Sequence, residues 1–279
     1  MLFASRSYDK VTRSLLMVLS SVAFISCSAA PKSGDGGRQY ISSCSDSDLN
    51  SKSVLYFGPS NQIGPGSVWI RLGTNGGYQP QWRMEDLGVD TSVVAAGHSF
   101  QCSITATSQL TADAGLSVLS KVTTVSADLK ADFSRAKSIQ VSSTEAAWDT
   151  LVAGPWAARI DGLKNAMIRA DVQGKNRLVL SRALKLSNYK AVLDFDTAVK
   201  PEIKAKYAGK VLSRADVGEV GAQLTASWSR DDKLELTAKG DIYVAGEFAQ
   251  LQDGKVAVGR GAAIIENLGD KDTQPYHAK

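Results

Sequence analysis

"VSADLKADFS", residues 125–134, alternates without a break. Val125, Ala127, Leu129, Ala131 and Phe133 are apolar, while Ser126, Asp128, Lys130, Asp132 and Ser134 are polar. On a strand, successive side chains point to opposite faces, so this stretch reads as β with one face buried and one wet. The alternation returns at 189–195 through Tyr189, Ala191, Leu193 and Phe195. It returns again at 222–228 (Ala222, Leu224, Ala226, Trp228) and at 234–238 (Leu234, Leu236, Ala238). "SRDDK" (229–233) joins the last two and reads as a hairpin turn. Half-wet strands joined by short turns are the pattern of an antiparallel sheet.

Toward the N-terminus, "VLYFG" (54–58) reads as a short strand. "SVWIRLGTNGGYQPQWR" (67–83) reads as a hairpin turning at Asn75-Gly76-Gly77, where positive φ is readily taken. Pro80 lacks a backbone N–H and places the returning strand at a sheet edge.

Helices are expected between the strands. Ser142 and Glu145 have capping-box spacing ahead of "TEAAWDTLV" (144–152). Gly154-Pro155 breaks the chain, with Pro155 at the first position of a following helix. In that helix Trp156, Ile160, Leu163, Met167 and Ile168 form an apolar stripe. A third helix begins near Pro201, with Ile203, Tyr207 and Val211 on one face. The expected fold class is α+β: a mainly antiparallel β-sheet with two or three helices packed on one face. Two subdomains divided near residue 110 form a variant of it. "VLSKVTTVS" (118–126) echoes "VLSRALKLS" (179–187), which either a duplicated unit or chance in a Ser- and Leu-rich chain produces.

The N-terminus has a separate logic. Arg6, Lys10 and Arg13 outweigh Asp9, and an apolar run from Leu15 to Ile25 follows, interrupted by Ser20 and Ser21. As a helix that run spans roughly 17 Å, against a hydrocarbon core of roughly 30 Å, so it is too short for a permanent anchor. A basic start, a short apolar run and small residues beyond it make a secretory signal. Cleavage after Ser28-Ala29-Ala30 would leave Pro31 immediately past the cut, a poor protease substrate. Phe24-Ile25-Ser26-Cys27 resembles the lipobox of bacterial lipoproteins, with Phe24 standing where leucine is usual.

The resemblance covers only residues 1 to about 30 and concerns the export route, not the fold. It implies a signal peptide over 1–26, a diacylglycerol on the Cys27 sulfur, and the lipid bilayer as a partner. It further implies a location in the cell envelope, with Ser28 favouring the outer membrane where the host has one. Residues 27–43 then form a polar, glycine-bearing tether and 44–279 the globular region.

Removing 26 residues from 279 leaves 253, ample for a sizeable core. The signal takes away three basic side chains and one acidic one, so the formal charge falls from +4 to +2. Such balance offers no extended basic footprint for nucleic acid. Cys44 and Cys102 remain, and export to an oxidising compartment favours a disulfide between them.

Chemistry is harder to find. Ser99 in "GHSFQC" (97–102) lacks the second glycine of a nucleophile elbow, and His98 and His277 are the two histidines available. Glycine loops for phosphate and metal-ligand clusters are likewise missing, so no catalytic residue, metal ligand or cofactor is assigned. Glu145, Asp149, Asp194, Asp196 and Glu247 are carboxylates that need only meet in space to hydrolyse a glycan. Trp69, Tyr78 and Trp82 either form a platform for glycan or peptide or pack a small core. The reading these features give is a membrane-anchored, non-enzymatic binding or assembly module of the envelope, meeting an envelope protein or a glycan. Two alternatives stay open: a periplasmic glycan hydrolase using paired carboxylates, and a secreted protein that inserts amphipathic strands into a membrane.

Overall fold

The computed structural model describes residues 53–72, 77–90, 92–100, 103–104, 125–217, 220–256 and 276, all in a unit that spans residues 31–279. In chain order its strands are β1 (Leu55–Ser60), β2 (Val68–Arg71), β3 (Tyr78–Trp82), β4 (Val94–Ala95), β5 (Ser99–Phe100), β6 (Ser103–Ile104), β7 (Ala136–Ser142) and β8 (Glu145–Leu151). They continue as β9 (Arg177–Ser187), β10 (Lys190–Phe195), β11 (Val211–Leu212), β12 (Leu224–Trp228), β13 (Leu234–Ala238), β14 (Ile242–Gln252) and β15 (Lys255–Val256). The helices are α1 (Ala127–Phe133), α2 (Ala153–Asp161), α3 (Ala166–Val172), α4 (Lys200–Tyr207) and α5 (Arg214–Val217). Every strand pairing among the described residues is antiparallel, and the class is α+β.

The larger sheet runs β1-β14-β9-β2-β3, with β8 also on β9 and the short β4, β5 and β15 added to it. One edge of β9 is shared: Arg177–Val179 pairs with β2, and Arg182–Ser187 pairs with β8. The 67–83 hairpin forms as β2 and β3, and β3 ends the strand order, the place Pro80 requires. Ser181 is skipped in the register between β9 and β14, making a bulge. The skip shifts the face parity of β9, so Leu180 and Ala183 join the same apolar cluster despite odd spacing. That cluster includes Trp69, whose ring meets Phe248 edge-on at 5.0 Å, while Tyr78 stacks on Phe248 at 5.7 Å.

The smaller sheet runs β11-β12-β13-β10-β7-β6 and keeps the alternation the sequence carries. Ala191, Leu193, Phe195, Leu224, Ala226, Leu234 and Leu236 are buried, while Thr225 and Ser227 between them are exposed. The apolar side meets Trp148, Leu184 and Leu186 of the larger sheet in one cluster, which also takes Leu129 and Phe133 of α1 and Ile203 and Tyr207 of α4. Trp156 and Ile160 of α2 and Val172 of α3 enter a separate cluster with Val68 and Val179.

Several local expectations fail, and each failure has a physical cause. The "VSADLKADFS" segment is not a strand: α1 occupies 127–133. Leu129 and Phe133, four apart, share a face at either period, so their burial fits both. The residues between them decide, because Asp132 is only 4% exposed while Ala131 is exposed. Conversely, "TEAAWDTLV" is not a helix. Ser142 ends β7, and Glu145 opens β8, which pairs along β9 and sets Trp148 opposite Leu184. Sheet pairing on a buried surface overrides the helix preference of Ala and Glu there.

The stripe from Trp156 to Ile168 is split. α2 starts two residues before Pro155 and ends at Gly162, and Asn165 caps a second helix by accepting from the N–H groups of Met167 and Ile168. The break turns Met167 out to 81% exposure. Val211 likewise leaves the face of α4 for β11 and is exposed.

Candidate functional site

α1 is a helix whose sequence is written with the period of a strand. Its start is fixed by Ser126, whose Oγ accepts from Leu129 N at 3.4 Å and whose own N–H donates to Asp216 O at 3.0 Å. No residue from 126 to 134 is β-branched, and Ala, Leu and Lys are good helix formers in water. The helical turn then carries Asp132 onto the buried side beside Leu129 and Phe133.

A carboxylate there costs several kcal/mol unless it is paired. α4 supplies the partners. Tyr207 Oη donates to Asp132 Oδ2 at 2.7 Å, and Lys206 Nζ reaches Oδ1 and Oδ2 at 3.1 and 3.2 Å. Lys206 also bonds Glu202 at 3.1 Å, and Arg135 bridges Glu202 at 2.9 Å while lying 3.8 Å from Asp132. The Phe133 ring meets the Tyr207 ring edge-on at 5.4 Å. Burial, then the bond to Asp132, pushes the Tyr207 phenol above its ordinary range. Bonds to Glu202 and Asp132 raise the Lys206 ammonium, which therefore stays charged near neutral pH.

α4 is held independently of α1. Ile203 is buried, Lys200 lies 3.3 Å from Asp194 of β10, and Lys204 bonds Asp232 at 2.9 Å in the β12–β13 turn.

The carboxylates weighed for glycan hydrolysis do not converge. Asp149 sits opposite Ala183, and Glu247 opposite Arg182, one step along β9, so the two side chains project from opposite faces of the sheet. Each is engaged. Asp149 accepts from Tyr243 Oη at 2.9 Å and pairs with Lys185 at 3.0 Å, and Gly97 N donates to it at 3.3 Å. A Cβ at Gly97 would lie 2.1 Å from Trp148 O, so only glycine allows that approach. Burial first, then the charge of Asp149, pushes the Tyr243 phenol up. Glu247 accepts from Ser53 Oγ at 3.0 Å. Glu145 shares the face of Asp149 but lies four residues away, about 13 Å along the strand, beyond the separation glycosidases use. Asp194 lies between Lys137 and Lys200 at 3.3 Å from each in the other sheet, and Asp196 is exposed just past β10.

The aromatic trio does not form a platform. Trp69 is fully buried and Tyr78 is 6% exposed, while Trp82 is partly exposed with Nε1 donating to Asp171 at 2.7 Å. Trp69 and Tyr78 pack in one apolar cluster and Trp82 lies against another. Ser99 is an exposed residue of β5, opposite Ala147. Cys27, Cys44 and Cys102, the expected signal and tether, the division expected near 110 and residues 118–124 of the internal echo lie outside the described residues.

Sequence reading missed Asp132, Lys206 and Tyr207 as a group. The Glu202–Lys206 pair at i,i+4 was visible as a helix signal, but Asp132 joins it across 74 residues of chain. No helix among the described residues is long and apolar enough to cross a membrane.

No protein-family model and no curated protein matches this chain. Among solved structures it is similar to a bacterial gasdermin from Bradyrhizobium tropiciagri, at 14% identity and a TM-score of 0.41, over 81% of this chain and 93% of that one.

Proposed function

We propose that this protein is a lipid-anchored envelope protein that enters membranes as β-structure. Cys27 brings it to the bilayer surface, and α1 unwinds so that residues 125–134 enter the bilayer as a strand. One observation carries the reading: ten residues keep unbroken strand alternation although the seven at their centre, 127–133, fold as a helix. A helix gains nothing from that pattern. It leaves Ala127 and Ala131 in solvent and forces Asp132 inward.

A tilted membrane strand needs about 9–11 residues, apolar toward lipid and polar toward a water-filled lumen. As a strand, 125–134 meets both demands, with Val125, Ala127, Leu129, Ala131 and Phe133 outward and every Ser, Asp and Lys inward. The neighbouring β7, β10, β12 and β13 carry related alternation and are already antiparallel neighbours. No unpaired edge can face hydrocarbon, so inserted strands must close on one another or on those of further copies.

The test uses purified lipidated protein and liposomes loaded with a self-quenched dye. Release on addition of protein, with a rise in strand signal in the infrared amide band, is the expected result. Vesicles that bind the protein at saturation and retain their dye would overturn the proposal in favour of a tethered binding module.

A further inference from the structure

We infer that the cluster joining Asp132 of α1 to Lys206 and Tyr207 of α4 is a latch that keeps residues 127–133 helical and sets the rate at which the segment 125–134 enters a bilayer. The inference rests on the membrane-insertion reading above. Among the polar residues of the segment, Asp132 is the one whose helical position is buried, at 4% exposure, whereas Asp128 and Lys130 are exposed. In the strand form all three share the polar face. Asp132 is therefore the residue that changes surroundings when the helix becomes a strand.

Its burial is tolerated because two partners meet it, Tyr207 Oη at 2.7 Å and Lys206 Nζ at 3.1 Å, with Arg135 and Glu202 closing the network. Losing a partner leaves a desolvated carboxylate and raises the free energy of the helical form. The strand form, with Asp132 in water, is unaffected. Because α4 is fixed to β10 and to the β12–β13 turn through Lys200 and Lys204, it stays in place as the stationary half of the latch. Ser126 and its bond to Asp216 O form a separate attachment at the other end of α1.

The experiment takes the full-length lipidated protein, dye-loaded liposomes of phosphatidylethanolamine and phosphatidylglycerol, and the variants Lys206→Ala and Tyr207→Phe. Phe retains the ring contact with Phe133, and Lys206 is exposed, so neither change empties the core. Amide exchange over 127–133 without lipid reports the latch, and the rate of dye release reports entry. Both rates should rise about threefold to tenfold in each variant, the factor that one hydrogen bond to a buried carboxylate commands. Lys206→Arg should restore the wild-type rates. Arg159→Ala, which breaks an exposed pair with Asp90 away from α1 and α4, should leave them unchanged.

Unchanged exchange in both variants would refute the latch by itself. Faster exchange with release held at the wild-type rate would refute its control of entry. Faster exchange with vesicles that no form of the protein empties would refute the membrane reading while leaving the latch on α1 standing.

Discussion

Replacing Ala131 with lysine separates the two lives of the segment 125–134. In the folded chain Ala131 lies on the exposed side of α1. Lysine there costs only a few tenths of a kcal/mol in helix propensity, and the melting temperature should move by about one degree or less. In an inserted strand the same residue stands near the middle of the ten, on the side of Leu129 and Phe133, facing lipid. A lysine at the bilayer midplane on that face costs about 2–4 kcal/mol. At about 1.4 kcal/mol per factor of ten, dye release should fall roughly 30-fold to 1,000-fold. Lys130 is equally exposed in the helix but belongs to the polar face of the strand, so Lys130→Gln should change release by less than about twofold. The assay is the initial rate of dye release, with vesicle co-sedimentation to show that both variants bind and thermal melting to show that both fold. Wild-type release by Ala131→Lys, or equal losses in the two variants, would refute the assignment of faces and with it the strand form.

Three further outcomes are expected. Cys27→Ala should move the protein from the detergent phase to the aqueous phase on Triton X-114 partitioning, whereas an unmodified mature N-terminus at Pro31 in mass spectrometry would exclude lipidation. Non-reducing mass mapping should show a peptide linking Cys44 to Cys102, and two alkylatable thiols in the native protein would dismiss that bond. Burial pushes the Asp194 carboxyl up, but the ammoniums of Lys200 and Lys137 prevail and hold it below its ordinary value. The stabilisation it contributes is present above an unfolded pKa of about 4 and is lost as pH falls through the lower folded value. Asp194→Asn should thus lower stability at pH 7 by roughly 0.2–1 kcal/mol, with the deficit vanishing toward pH 2 in a denaturant titration.

Strand alternation was legible where it had partners to face. At 189–195, 224–227 and 234–236 buried residues alternate with half-buried or exposed ones as the sequence has it, because each strand lies in a sheet with one apolar side. The pairing of β2 with β3 and the edge position of Pro80 were legible from the β-formers of the two strands and from the missing proline N–H, while residues 73–76 of the turn lie outside the described residues. The candidate site was half legible. Its pattern was plain, but a period of two and a pair at i,i+4 both set Leu129 beside Phe133, so apolar positions could not decide the element. The absence of β-branched residues from 126 to 134 and the capping serine were the signals for a helix.

The sequence by itself determined which side chains are apolar and at what spacing, and where glycine, proline and capping residues let the chain turn. It thereby determined an antiparallel α+β fold, and it placed a lipobox-like stretch ahead of a polar, glycine-bearing one. Tertiary structure decided which of two compatible elements each ambiguous stretch became. "TEAAWDTLV" is a strand because β9 offers an edge for it to pair with, and backbone groups buried there must find partners. Residues 127–133 are a helix because α4 brings Lys206 and Tyr207 to the one carboxylate that a helix buries and a strand would not. That pairing spans more than seventy residues, and its worth depends on exclusion of water by the surrounding core, a property of the folded arrangement that no local stretch of sequence contains.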